Sequence, residues 1–438
     1  MDITFVTSIA VGLIFVLLAL GAPVFAALAV SGAVGILMVE NPDFLMNRMK
    51  TFAFSHAASY TMTVIPLFIL MGAFAHHAQV GKRLFYVANK WVGHLPGGLA
   101  MAGILTSAGF AATSGSSVAT AATVGAVAIP EMKKAGYDAR LATGSVAAGG
   151  VLGVLIPPSV LLIFYAALTE VSAGKMLVAG FVPGILTTLV FMAGTAWLGS
   201  RPGVRADRSP RSPWGERMRA TGQAWQVLVL FVIVLGGIYS GLVTPTEAGA
   251  IGAVAALVML VASRAGREGL MGKLTESFRS TTTTTVMIMF TMIGAGIFSY
   301  FLTLIQVPQL IAGAVVESGI PPMLIVGILL LVYVPLGMFL DAFSMMVITL
   351  PIVFPTVVGL GFDPIWFGIL CVKMCEIGLI TPPVGLNCFV IAGIDRDTPL
   401  SKVFHGAFWF VIMELVTVLL IFFFPLIVTW VPDNMMGR

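Results

Sequence analysis

Two segments of this chain place a glycine just ahead of a Pro-Pro pair in apolar surroundings: Gly153-Val154-Leu155-Ile156-Pro157-Pro158 and Gly378-Leu379-Ile380-Thr381-Pro382-Pro383. Proline removes an amide donor and clashes with the preceding turn, so a helix must open at each site. Opening frees carbonyl oxygens, which suit a hard cation. Ahead of each break lies a polar tip between two half-length apolar segments. The tips are Thr113-Ser114-Gly115-Ser116-Ser117 and Gly337-Met338-Phe339-Leu340-Asp341. Flanks of half length predict a re-entrant hairpin rather than a full span. The second half of each hairpin starts just after Ser117 or Asp341, and its amide end favours an anion such as a carboxylate.

Each of these residues also has a plainer reading. Ser114, Ser116 and Ser117 fit small-residue helix packing, and Thr381 fits a back-bond to its own helix. The recurrence of tip and Pro-Pro break together favours ion sites. Asp341 has the stronger case, because a carboxylate within a membrane is costly and usually functional. Asn387, four residues after Pro383, brings an amide to the same depth. Lys373 and Glu376 lie at i and i+3 on one apolar helix. They read either as a mutually neutralising pair, or as a Lys373 facing an anionic substrate with Glu376 structural. Glu247, in Thr244-Pro245-Thr246-Glu247, reads as a first-turn carboxylate on a positive helix end. Glu414 reads as a buried helix-packing contact, and the Thr281–Thr285 run as the start of a helix. The five histidines have no metal-ligand spacing and fit loop or interface positions.

The elements that hold these residues follow from composition. The 438 residues are 58% hydrophobic and only 10% charged, with a mean hydropathy of +1.04. A soluble domain carries about 25% charged residues, and a disordered chain would carry fewer large apolar ones. This is a polytopic membrane protein, all-α, with length for roughly a dozen membrane segments at about 20 residues each. The net charge of +4 marks cytoplasmic loops rather than a nucleic-acid partner. Cys371, Cys375 and Cys388 sit in apolar runs without a zinc or disulfide pattern. The N-terminus lacks the flank and cleavage site of a signal peptide. No G-x-x-x-x-G-K-[ST] is present, so the chain shows no nucleotide-driven motor.

The two sets of breaks belong to an internal repeat. At an offset of 225 residues, Pro96 meets Pro321, Gly153 meets Gly378, Pro157-Pro158 meets Pro382-Pro383 and Phe164 meets Phe389. The turn of the first repeat carries Lys133, Lys134 and Arg140; the matching positions are Val358, Gly359 and Ile365. Positive residues mark the cytoplasmic side, so the repeats are inverted. Extended along the chain, this places 18 of the 23 Lys/Arg in cytoplasmic loops, four outside and Lys373 in the membrane, with both termini outside. The expected organisation is N-terminal scaffold helices over 1–95 and a first transport repeat over 96–169. Scaffold helices over 170–320 contain a cytoplasmic linker, 201–221. A second, inverted transport repeat covers 321–394, and a C-terminal helix 395–438. Inverted repeats with interrupted helices are the architecture of secondary transporters.

These segments together resemble the large membrane subunit (DctM-like, M subunit) of tripartite ATP-independent periplasmic, or TRAP, transporters. The resemblance rests on Ile65-Pro66-Leu67-Phe68-Ile69-Leu70-Met71-Gly72, His94-Leu95-Pro96-Gly97-Gly98, Ser114-Gly115-Ser116-Ser117-Val118-Ala119-Thr120 and Ile156-Pro157-Pro158-Ser159. It rests also on Gly241-Leu242-Val243-Thr244-Pro245-Thr246-Glu247-Ala248 and on the run from Glu376 to Asn387. It implies a sodium-coupled, elevator-type importer in the bacterial inner membrane, fed by a periplasmic binding protein and built with a small four-helix Q subunit. The implied substrate is an organic anion such as a dicarboxylate or sialic acid, or a sulfonate. The implied sodium sites are Ser114 and Ser116 with Gly153, Ile156 and Pro158, and Gly337 and Asp341 with Gly378 and Thr381. Substrate would lie between the tips, near Ser117, with Asn387 and Lys373 as further contacts. Lys373 departs from the family, which commonly has a polar uncharged residue there. The chain begins at the large subunit's own first segments, so a separate Q chain is expected. Na+ is the coupling ion, and no other cofactor or metal is expected.

The competing classes are a channel and a stand-alone sodium/anion symporter without a binding protein. Two opposed hairpins suit alternating access better than a pore. An enzyme is not expected, because no metal constellation or nucleophile–base pair is present.

Overall fold

The structure is a computed structural model, and it describes residues 3–57, 60–317 and 319–435. Its described residues form helices, with no strand among them. The first half contains α1 (Ile3–Ala19), α2 (Val24–Val39), α3 (Pro42–Ala57), α4 (Val64–His77) and α5 (Val80–Val92). It continues through α6 (Gly98–Ser114), α7 (Ser117–Lys134), α8 (Ala139–Leu155), α9 (Val160–Thr169), α10 (Ala173–Ala179), α11 (Phe181–Gly199) and α12 (Trp214–Thr221). The second half holds α13 (Trp225–Phe231), α14 (Gly237–Tyr239), α15 (Pro245–Ala262), α16 (Arg264–Arg267), α17 (Leu270–Leu304) and α18 (Val307–Glu317). It ends with α19 (Pro322–Leu331), α20 (Tyr333–Gly337), α21 (Ala342–Gly359), α22 (Pro364–Leu379), α23 (Leu386–Ile394), α24 (Leu400–Phe423) and α25 (Leu426–Asp433).

The 225-residue offset holds at the level of elements and runs well beyond the Pro-Pro segments. Shifted by 225, α7 falls on α21 end to end, and α8 and α9 fall on α22 and α23 to within a residue or two. The same shift brings α4 onto the second half of α17, α5 onto α18, α2 onto α15, and α10–α11 onto α24. Caps repeat too. Asp138 and Asp363 each accept amide hydrogen bonds at the start of α8 and α22, and Ser116 and Asp341 do so at the start of α7 and α21. Both Pro-Pro bonds are cis.

Six helices of the described chain are long and apolar enough to cross a membrane, or up to eight if each of two bent pairs counts as one span. The bends are 66° between α4 and α5 and 45° between α8 and α9, the second at the first Pro-Pro break. The Thr281–Thr285 run does not start a helix; it lies inside the 35-residue α17, which begins at Leu270. Glu247 completes a capping box: the Thr244 amide donates to its carboxylate (2.7 Å), and its own amide donates to the Thr244 hydroxyl (3.3 Å). That motif fixes where α15 enters.

Packing divides the helices into two groups. Helix α2 lies along α17, and α15 lies along α4. Helix α11 packs with α6 and α8, and α24 with α8, α22 and α23, around the hairpins rather than with the first group. The approach of α8 to α24 needs small residues: a Cβ on Gly144 would sit 2.3 Å from the Gly406 carbonyl carbon. Small residues of this kind let backbones touch where lipid gives little hydrophobic drive between helices. Lys133 at the end of α7 pairs with Asp395 after α23, which ties the first hairpin to the second repeat.

Candidate ion and substrate site

The first tip is built by a change of backbone hand. Helix α6 ends at Ser114, Gly115 takes φ +62°, and Ser116 caps α7 by accepting from the Ala119 amide. The Ser114 hydroxyl lies 2.7 Å from that of Thr120, one turn into α7. The tip seats directly on the first interrupted helix. The Val160 amide donates to the Gly115 carbonyl (3.3 Å), and a Cβ on Gly115 would meet the Pro158 carbonyl oxygen at 2.8 Å. A Cβ on Gly153 would lie 2.5 Å from the Ser116 carbonyl oxygen. Helix α8 stops at Leu155, and Ile156 follows in an extended conformation. The structure therefore brings Ser114, Ser116, Gly153 and Pro158 together, with Ile156 in the same break.

The second tip repeats the arrangement with a carboxylate. Asp341 accepts from the Phe343 and Ser344 amides (3.0 and 3.2 Å) and from the Ser344 hydroxyl. Gly337 and Gly378 touch backbone to backbone: a Cβ on Gly337 would lie 2.7 Å from the Gly378 Cα. The Val384 amide donates to the Met338 carbonyl (3.3 Å), which fixes the tip to the second break. The Thr381 hydroxyl donates to the Ile377 carbonyl (2.6 Å), the back-bond its residue type allows, and its oxygen keeps lone pairs for a cation.

A cavity of about 370 Å³ lies between the two tips. Ser114, Ser116 and Ser117 of the first tip and Asp341, Ala342 and Phe343 of the second line it. The opposite wall comes from α4 and α17, with His76, His77, Glu276, Ser277, Ser280 and Thr284. Three carboxylates face this space, from Asp341, Glu376 and Glu276, and no lysine or arginine is among its lining residues. His76 crosses from that wall to the hairpin: its Nδ1 is 2.8 Å from the Thr123 hydroxyl on α7. The other wall histidine, His77, lies 3.7 Å from Glu276.

The structure separates Lys373 and Glu376 in a way that differs from both sequence readings. Lys373 does not face the cavity and does not pair with Glu376. Its ammonium is buried and bonds to Glu414 of α24 (2.6 Å) and Thr187 of α11 (2.9 Å). Glu414 is thus the countercharge of a buried pair. Glu376 is the residue that turns to the cavity. It is 1% exposed, and Ser117 is near enough to interact with it, yet no hydrogen bond of ordinary geometry reaches either carboxylate oxygen among the described residues. Asn387 is also absent from the cavity wall; its amide donates to the Ala147 carbonyl of α8 (3.3 Å), joining the two interrupted helices. Residues at i and i+3 share a helix face, so spacing alone did not distinguish Lys373 from Glu376. The signal lay in a second acid in an apolar helix, Glu414, which competes with Glu376 for Lys373. No group of His, Cys, Asp or Glu suited to a metal cluster occurs among the described residues.

A protein-family model, "Tripartite ATP-independent periplasmic transporter, DctM component", matches residues 11–427. The chain belongs to the DctM family. Relatives of this DctM-family protein include the C4-dicarboxylate TRAP transporter large permease protein DctM of Pseudomonas aeruginosa. The two are 39% identical over 412 residues, 93% of this chain and 94% of that one. The isethionate TRAP transporter permease protein DctMQ of Oleidesulfovibrio alaskensis is 36% identical over 383 residues, 86% of this chain and 58% of that longer protein. The crystal structure of the Alcanivorax borkumensis YdaH transporter has a TM-score of 0.60 over 92% of this chain and 91% of that one. At 16% identity that likeness speaks for the fold alone. This DctM-family chain is a multi-pass membrane protein and the large permease of a secondary transporter.

Proposed function

We propose that this DctM-family permease imports a small organic anion, a carboxylate or a sulfonate, by sodium-coupled elevator transport across the bacterial inner membrane. A separate small Q subunit and a periplasmic binding protein complete the system. The observation that carries the coupling is the lining of the cavity: the acidic side chains of Asp341, Glu276 and Glu376, and no lysine or arginine. At about 5 Å and an effective dielectric of about 20, one like charge costs an anion about 3 kcal/mol. An organic anion therefore needs co-bound cations to enter. Sodium at Ser114 and Ser116, with the carbonyls of Gly153, Ile156 and Pro158, answers one side. Sodium at Gly337, Asp341, Gly378 and Thr381 answers the other. Hard cations take such oxygen sets. The amide ends of α7 and α21 then face the substrate near Ser117. Lys373 and Asn387 take no part in this site.

The relatives support the substrate class, since one is named for C4-dicarboxylates and another for isethionate. In the elevator reading, the hairpins move with the interrupted helices and with α11 and α24, past a scaffold that includes α4 and α17. The cavity reaches His77 and Glu276, in the part of the chain that positive charges place on the cytoplasmic side, so it reads as inward-facing. Thermal unfolding of the purified chain in sodium against potassium at equal ionic strength tests the sites. Sodium should raise the midpoint selectively, and Ser114→Ala and Asp341→Ala should each reduce that rise. Equal midpoints in both salts would remove the ion sites from the account.

A further inference from the structure

A second cavity, of about 550 Å³, opens where the start of α8, the end of α11 and the start of α24 meet. Arg140 and Arg201 line it, together with His405 and Trp409. The Arg201 guanidinium lies over two indoles, 3.6 Å from the Trp197 ring centroid and 4.6 Å from that of Trp409. Stacking occupies the face of a guanidinium and leaves its N–H edges free. Among the described residues, neither the Arg201 nor the Arg140 guanidinium has a hydrogen bond or an ion pair. One acid, Asp138, lines the same space, and it is engaged as the cap of α8 through the Arg140 amide (2.7 Å). The site thus presents Arg201, held against two indoles with its N–H edges free, and a second, exposed guanidinium, Arg140, at the same opening.

Its surroundings say what it would hold. Positive charges place this end of the helices on the cytoplasmic side, where anionic lipids concentrate. Trp197 and Phe408 are exposed beside it, as residues at a headgroup boundary are. Ile185 and Leu189 on α11 and Ile412 and Leu419 on α24 continue an exposed apolar surface away from the cavity. A free phosphate uses only the arginines; a phospholipid uses both the arginines and the apolar surface. We propose that this cavity binds the phosphate of an anionic phospholipid, with Arg201 and Arg140 as its ligands and the acyl chains lying along α11 and α24.

The test uses the full chain in detergent, with phosphatidylglycerol titrated in and retained lipid read by native mass spectrometry. Phosphatidylglycerol should be retained over phosphatidylcholine. Arg201→Gln and Arg140→Gln should each weaken retention about fivefold, the effect of one basic side chain near an anionic surface. Arg201→Lys, which keeps the charge and loses the plane, should fall between. Arg211→Gln, in the linker, should change nothing, and unchanged unfolding midpoints in phosphatidylcholine would show that the variants fold. Equal retention in wild type and both glutamine variants would overturn the proposal. So would stabilisation by inorganic phosphate alone equal to that by lipid, or shielding of Arg201 by the small subunit in lipid-free complex, which would make this face a protein contact.

Discussion

The ammonium of Lys373 lies 2.6 Å from the carboxylate of Glu414, and both side chains are almost entirely buried, between α22 and α24. A buried pair of this kind offsets its own desolvation only while both partners are present. Glu414→Leu or Lys373→Met alone should therefore cost about 3–5 kcal/mol of stability. The double variant should recover most of that loss. Unfolding midpoints of the four proteins in detergent check this, and additive losses in the double variant would contradict the pairing.

Asp341 caps α21 and, in the proposed function, also holds sodium; the two separate by substitution. It caps α21, and asparagine caps about as well, whereas alanine costs about 1 kcal/mol. Asp341→Asn should therefore keep the unfolding midpoint close to wild type and still lose most of the sodium activation of uptake. Asp341→Ala should lose both. Retained sodium activation in Asp341→Asn would confine the residue to capping.

How much of this was legible in the sequence differs by residue. Breaks in the backbone were the clearest. Gly153, Pro158, Gly378 and the two tips were placed by proline chemistry and by the repeat, because those constraints are local. The offset also extends across the helices outside the hairpins, where apolar composition hid it. Side-chain direction was the weak point. Lys373 and Glu376 share a face at i and i+3, and what sorts them is Glu414, 41 positions after Lys373. The Ser277, Ser280 and Thr284 stripe on the cavity wall was hidden because Thr284 sits within the Thr281–Thr285 run.

Backbone contact between Gly337 and Gly378 leaves no room for a methyl group. Gly337→Ala should displace the second tip, lower stability by about 1–3 kcal/mol and abolish uptake. Gly359→Ala, whose added carbon would meet nothing within 4 Å, is the control and should leave uptake intact. Uptake by Gly337→Ala at the wild-type rate would show that the tip tolerates movement there.

Glu376 holds a buried carboxylate that no ordinary hydrogen bond reaches among the described residues. Sites of this sort trade stability for function. Glu376→Met, which removes both unpartnered oxygens at similar volume, should raise the unfolding free energy by about 1–3 kcal/mol, the cost of an unsatisfied buried group, and should reduce uptake. A variant that is less stable and fully active would assign Glu376 to packing.

In the proposed function an organic anion enters this carboxylate-lined cavity only with sodium. Uptake of a labelled C4-dicarboxylate or isethionate into proteoliposomes holding both membrane subunits, with the cognate binding protein outside, measures it most directly. The expected result is slow, saturable uptake that requires an inward sodium gradient and collapses when potassium replaces sodium. Uptake that proceeds without sodium and follows an imposed proton gradient would contradict it.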